Sequence, residues 1–143
     1  MATLWLEHAA SSAAIARRSL STALQEAGLS ADDAYDAALI ASELVGNAVR
    51  HGSPLPSGHL AVEWTFGSED GSYTIAVTDG GQHAGNEIRP QVAAESDPSG
   101  RGLMIVAALA TDWGVAHRDH ATTVWARCSL PVPSSARLDP SFC

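Results

Sequence analysis

The chain has 143 residues, 45% of them hydrophobic and 17% charged, a composition that suits one globular domain and excludes a wholly disordered chain or a long coiled coil. Its formal net charge is -8, it holds no lysine, and its 8 basic side chains are arginines scattered along the chain. That balance argues against a nucleic-acid backbone as partner, which calls for clustered cations. No basic stretch precedes an apolar one near the first residue, and the longest apolar run, residues 103–110, is far too short for a membrane span, so neither a secretory signal nor a membrane is expected. Cys128 and Cys143 form no C-x-x-C spacing, which points away from a disulfide scaffold and toward a reducing, cytoplasmic compartment.

In chain order, residues 3–7 alternate and read as an edge strand. Between Ser11 and Ala27 the apolar residues Ile15, Ala16, Leu20, Ala23, Leu24 and Ala27 recur at helical spacing, and Gly28 stops that helix. Ser30 opens an S-x-x-D capping box with Asp33, and the second helix runs to about Arg50, stopped by Gly52. Residues 53–58 are a loop by their Ser, Pro and Gly content. Leu60, Val62, Trp64 and Phe66 alternate with polar or small residues, as do Tyr73, Ile75 and Val77 after the turn GSEDG, so the two segments form a hairpin.

Residues 80–100 show little periodicity, and loops of that length inside a compact domain are binding loops and lids, or else disordered. Residues 103–110 then read as a buried helix, and residues 112–115 and 122–130 as a closing hairpin, with Trp113 and Trp125 expected in the core. Residues 131–143 read as a tail. This order predicts an α+β domain over residues 1–130, with helices on one face of a mixed, mostly antiparallel sheet.

Three stretches could carry chemistry. Glu43 and Asn47, at i and i+4 of the second helix, share a face about 6 Å apart along the axis. The carboxylate can take a proton and the carboxamide oxygen suits a hard cation such as Mg²⁺, although the pair could equally be a solvated polar stripe. Asp79 ends a strand on the parity of Tyr73, Ile75 and Val77, which puts a carboxylate on the apolar side. With Gly80 and Gly81 behind it, it could accept from an exocyclic amine on a flat ligand, or the tripeptide could simply turn. The run SGRGL at 99–103 sets two glycines where a helix begins, an arrangement that can hold a phosphate but also opens many helices that bind nothing. His117 and His120 read as surface residues between strands, and His51 as a cation suited to a helix end.

Taken together, SELVGNAVRHG at 42–52, VTDGG at 77–81, SGRGLMIVAALATDWGV at 99–115 and TTVWA at 122–126 resemble the GHKL ATPases, the family of sensor histidine kinases, gyrase-type topoisomerases, heat-shock chaperones and mismatch-repair ATPases. The likeness is greatest to the small actinobacterial anti-sigma factor serine/threonine kinases and covers about Ala13 to Leu130. It implies the Bergerat fold, a two-layer α/β sandwich with a lid at about 80–100. It implies ATP and Mg²⁺ as ligands. Glu43 would be the general base and Asn47 would coordinate Mg²⁺. Asp79 would accept from the adenine amino group, Gly81 would make room for the ring, and the backbone of Gly100, Arg101, Gly102 and Leu103 would hold phosphates. Thr122 would sit near the adenine, directly or through water.

The sequence departs from the family pattern at His83, which stands where the second glycine of the first box belongs, and at Pro98, where a basic residue often precedes the second box. Many actinobacterial relatives also carry a lysine at the position of Thr122. These departures bear on catalytic efficiency more than on adenine binding. A chain of this length leaves no room for a phospho-acceptor, transducer or chaperone middle domain, so the resemblance implies action on another protein. The implied partners are a sigma factor and a STAS-domain anti-anti-sigma protein, with a homodimer as a common state of relatives. Two other readings stand beside the kinase: a nucleotide-responsive sequestering module without phosphoryl transfer, and an α+β interaction domain without nucleotide.

Overall fold

A computed structural model describes residues 2–66, 72–81, 98–118 and 120–129, with the side chains of residues 66 and 98–102 left aside. The first strand, β1 (Ala2–Glu7), leads into α1 (Ser12–Glu26), where Ser12, Ala16, Leu20 and Leu24 are buried at intervals of one turn. The Ser12 hydroxyl donates to the Glu7 carbonyl at 2.6 Å and ties the helix to the end of the strand. The second helix, α2 (Ala31–His51), starts as its sequence demands. Ser30 is extended, with ψ 161°, and its side chain accepts from the Asp33 N–H at 3.1 Å. Asp32 and Asp33 lie in the first turn and Arg50 and His51 in the last, each on the end the helix dipole favours.

The remaining elements are β2 (His59–Phe66), β3 (Ser72–Asp79), α3 (Pro98–Leu109), β4 (Asp112–Arg118) and β5 (Ala121–Ser129). The sheet order is β1-β2-β3-β5-β4, and every described pairing is antiparallel, so the parallel component of the expected mixed sheet is absent among the described residues. Alternation buries Leu60 and Val62, then Tyr73, Ile75 and Val77, then Val124, Ala126 and Cys128, on one face. Those side chains join Leu20, Leu24, Ile40, Leu44, Val45 and Val106 in a single core between sheet and helices. The architecture is the expected α+β two-layer arrangement.

Three expectations need revision. The third helix begins at Pro98, inside the stretch read as loop, because proline is well placed in a first helical turn, where its missing N–H has no partner to lose. The fourth strand runs on to Arg118 and brings His117 into the sheet instead of a turn, with its side chain exposed as expected. Trp125 is half-buried on the parity of Thr123 and Arg127, facing away from the helices, whereas Trp113 packs against the core as expected. Residues 82–97, with His83, and residues 131–143 lie outside the described residues.

Candidate functional site

The site is built on α2. Its apolar stripe, with Ala37, Ile40, Ala41, Leu44, Val45 and Ala48 all buried, fixes the helix between the other helices and the sheet. Within that setting Glu43 is half-buried and Asn47 is only 2% exposed. The Asn47 Nδ2 has no hydrogen-bond partner among the described residues. An unmet buried amide costs about 1–3 kcal/mol, so its persistence on a helix face points to something it is meant to meet. The carboxamide can donate from nitrogen, and a half-turn about its last torsion presents the oxygen instead, the end a hard cation takes.

The second half of the site is a corner where the sheet meets the end of α2. Asp79 closes β3 and is 2% exposed, as its parity required. Its Oδ1 accepts from the Gly81 N–H at 2.7 Å. The rest of its carboxylate lies against Gly52, where a Cβ would run into it and would also come within 2.9 Å of the Ala48 carbonyl. Gly52 therefore serves by its small size as well as by ending the helix. Two backbone bonds join the chain after α2 to the chain after β3: Gly80 N–H to Ser53 carbonyl at 2.7 Å, and Ser53 N–H to Gly81 carbonyl at 3.0 Å. Gly81 has φ +98°, a left-handed conformation, and a Cβ there would stand 3.3 Å from the His120 carbonyl and 3.8 Å from Thr122 Oγ1. A side chain at 81 would fill the space in front of Thr122.

Thr122, 2% exposed, is the register partner of Asp79 on β5. Its other neighbour, His117 on β4, reaches it with Nδ1 at 3.1 Å from Thr122 Oγ1. A further histidine, His8, brings Nε2 to 3.2 Å from the Ala48 carbonyl and 3.1 Å from the Gly52 carbonyl, pinning the last turn of α2. Burial raises the Asp79 pKa above the ordinary carboxylate value, against the opposing pull of the Gly81 N–H and of His8 and His117. The carboxylate is thus an acceptor held in a dry corner.

Gly100, Arg101, Gly102 and Leu103 lie in the first turns of α3 rather than ahead of it. Leu103 is 3% exposed, and α3 packs against α2. Gly100 lies in the first turn, where N–H groups lack intrahelical partners and the dipole favours an anion, whereas Gly102 and Leu103 lie past it, where N–H groups bond to the carbonyl four residues back. The structure thus groups Asp79, Gly81 and Thr122 in one corner, and Glu43 with Asn47 one turn apart on the helix whose end forms that corner. Among the described residues no cluster of three His, Cys, Asp or Glu forms a metal cage. A cation at Asn47 would depend mainly on ligand oxygens and water, which is the habit of Mg²⁺. An open cleft of about 590 Å³ lies instead on the helix-free face, with Leu55, Thr78 and Thr123 in its wall, and none of the site residues lines it.

Sequence reading missed His8 and His117 as neighbours of Asp79. His8 left no signal, since 40 residues separate it from Ala48. His117 left one: pairing of Arg118 with Ala121 closes the β4–β5 turn and puts His117 opposite Thr122.

Residues 6–128 match the family described as the histidine kinase-like ATPase domain. No curated protein matches the chain. Among solved structures, a chain in the crystal structure of the RsbU and RsbW domains of Rv1364c from Mycobacterium tuberculosis is similar over 90% of the present chain, with 24% identity and a TM-score of 0.63. The match takes in 32% of that longer chain, so the present chain spans about a third of its length, and the likeness is one of fold. Among the described residues no helix is long and apolar enough to cross a membrane.

Proposed function

The chain belongs to the histidine kinase-like ATPase domain family, and from that premise we propose that it is an ATP-binding anti-sigma regulatory factor of the serine/threonine kinase type. The observation that carries this reading is the buried, unpartnered carboxamide of Asn47, one turn from Glu43, on the helix whose end abuts Asp79. In this reading Asp79 accepts from the adenine amino group, Gly81 leaves room for the ring, and Thr122 meets the ring edge. The first turn of α3, at Gly100, gives free backbone N–H to the phosphates, and Arg101, Gly102 and Leu103 continue the helix whose dipole favours them. Mg²⁺ held by the Asn47 oxygen would neutralise phosphate charge. Glu43 takes the proton from a serine or threonine hydroxyl of a STAS-type anti-anti-sigma protein as that oxygen bonds to the γ-phosphorus and the bond to ADP breaks. When that antagonist is phosphorylated, the same domain holds the sigma factor.

Calorimetric titration with ATP, with and without Mg²⁺, tests the site. Binding should need Mg²⁺ for full affinity and should weaken about 10- to 100-fold in Asp79→Asn, the range for a hydrogen bond to a charged group. Transfer of labelled γ-phosphate to the STAS-type partner should vanish in Glu43→Gln while ATP binding persists. A wild type that binds ATP but phosphorylates no partner would favour the sequestering module without transfer, the outcome that His83 in the first glycine box suggests. A wild type that binds no ATP would end the nucleotide reading.

A further inference from the structure

The contact between His117 and Thr122 has a consequence for which base the corner accepts. A threonine hydroxyl has one proton to donate and two lone pairs. With His117 Nδ1 at 3.1 Å from Thr122 Oγ1, the bond can run either way. If Nδ1 is bare, Thr122 donates to the histidine and shows a ligand only lone pairs. If Nδ1 carries hydrogen, His117 donates and the Thr122 proton is free for a ligand.

The ligand's position follows from the sheet. Asp79, Thr122 and His117 stand abreast on β3, β5 and β4. The space that a side chain at position 81 would occupy is bounded by Thr122, and the Asp79 carboxylate caps the Gly81 N–H beside it. A carboxylate can only accept, so it selects an amino group. On adenine the amino group is followed by the ring nitrogen N1, an acceptor. The group next to Asp79 must then be a donor, or two sets of lone pairs would face each other.

We infer that His117 is a specificity-determining positioning residue, whose Nδ1–H holds Thr122 in its donor orientation so that Asp79 and Thr122 together read the amino–N1 edge of adenine, directly or through one water. This rests on the nucleotide reading above. Guanine presents the reverse order, an oxygen and then an N–H, and so meets Asp79 with lone pairs and Thr122 with a hydrogen.

The test compares ATP with 1-deaza-ATP, in which a C–H replaces N1. Both are titrated by calorimetry into the wild type, into His117→Phe, which keeps a flat ring without a donor, and into His117→Asn, whose carboxamide can donate from a similar place. ATP affinity should fall about tenfold in His117→Phe, the size of one well-placed hydrogen bond, and return to within about threefold of wild type in His117→Asn. The deaza analogue should bind wild type and His117→Phe equally, which a merely structural role for the ring would not produce. If His117→Phe melts early, His117→Leu serves in its place as a donor-free match to the asparagine variant. Equal losses for ATP and the analogue, or no loss for ATP, would overturn the proposal. It fails alone if Asp79→Asn weakens binding while His117→Phe leaves it unchanged. If the wild type takes up no ATP, the nucleotide reading fails and this proposal with it.

Discussion

Asp79 carries a burden that a residue selected for stability alone would shed. It is a buried carboxylate whose ionised form folding disfavours, as its raised pKa records. The penalty is absent below the ordinary carboxylate pKa, about 3.9, where the group is protonated in both states. It develops as pH rises through the raised value of the folded state, so Asp79 by itself favours the fold at low pH and weakens it toward neutrality. Asp79→Asn keeps an oxygen for the Gly81 N–H and removes the charge. Without ligand it should therefore be more stable than the wild type at pH 8 in denaturant titrations, with the gap closing toward pH 4. The opposite trend would mean that His8, His117 and the Gly81 N–H outweigh burial. The same substitution should weaken ATP binding about 10- to 100-fold, and that exchange of stability for recognition marks a functional acid. The aspartate was legible in the sequence because strand parity is local: Tyr73, Ile75 and Val77 decide which way residue 79 faces. Its two histidine neighbours were not, because they arrive through strand register and a long-range contact that no period of two or 3.6 encodes.

Among the elements, α2 does two jobs, and single residues separate them. Its start is purely structural. Ser30→Ala removes the bond to the Asp33 N–H and should lower stability by about 1 kcal/mol, read from the denaturation midpoint, without touching ATP affinity. Its end is shared with the site. Gly52→Ala would push a methyl group into the Asp79 carboxylate and the Ala48 carbonyl, so it should lose both stability and ATP affinity. The backbone at Gly52, with φ -102°, is open to any residue, so the effect would be one of space alone. This helix could be read from sequence throughout, since its cap, its acidic first turn, its apolar stripe and its terminal glycine are all local signals. The start of α3 could not. Two glycines within five residues of Pro98 argue locally for a loop, and packing against α2 and the core through Leu103 and Val106 overrides them. Trp125 misled for a related reason: its size suggested burial, while β5 parity places it with Thr123 and Arg127 on the face without helices.

For the whole molecule, the candidate site straddles the two layers. Glu43 and Asn47 belong to the helical layer, and Asp79 and Thr122 to the sheet. At this end the links between them include the backbone bonds of Ser53, the Asp79 carboxylate against Gly52 and the His8 contacts to the last turn of α2. A ligand touching both layers binds the folded chain and not the unfolded one, so its binding energy adds to global stability. At a hundredfold excess over Kd the gain is about 2.7 kcal/mol, roughly 8 °C in Tm for a domain of this size. Thermal melts with ATP and Mg²⁺ should show that rise in the wild type and in Ser30→Ala alike, and little of it in Asp79→Asn. The dependence on Mg²⁺ then separates the layers. A shift that shrinks when Mg²⁺ is withdrawn means that the helical layer engages the phosphates through a cation at Asn47. A shift of equal size with and without Mg²⁺ would mean that the unpartnered Asn47 amide meets phosphate oxygen directly, and the metal role would have to be reassigned.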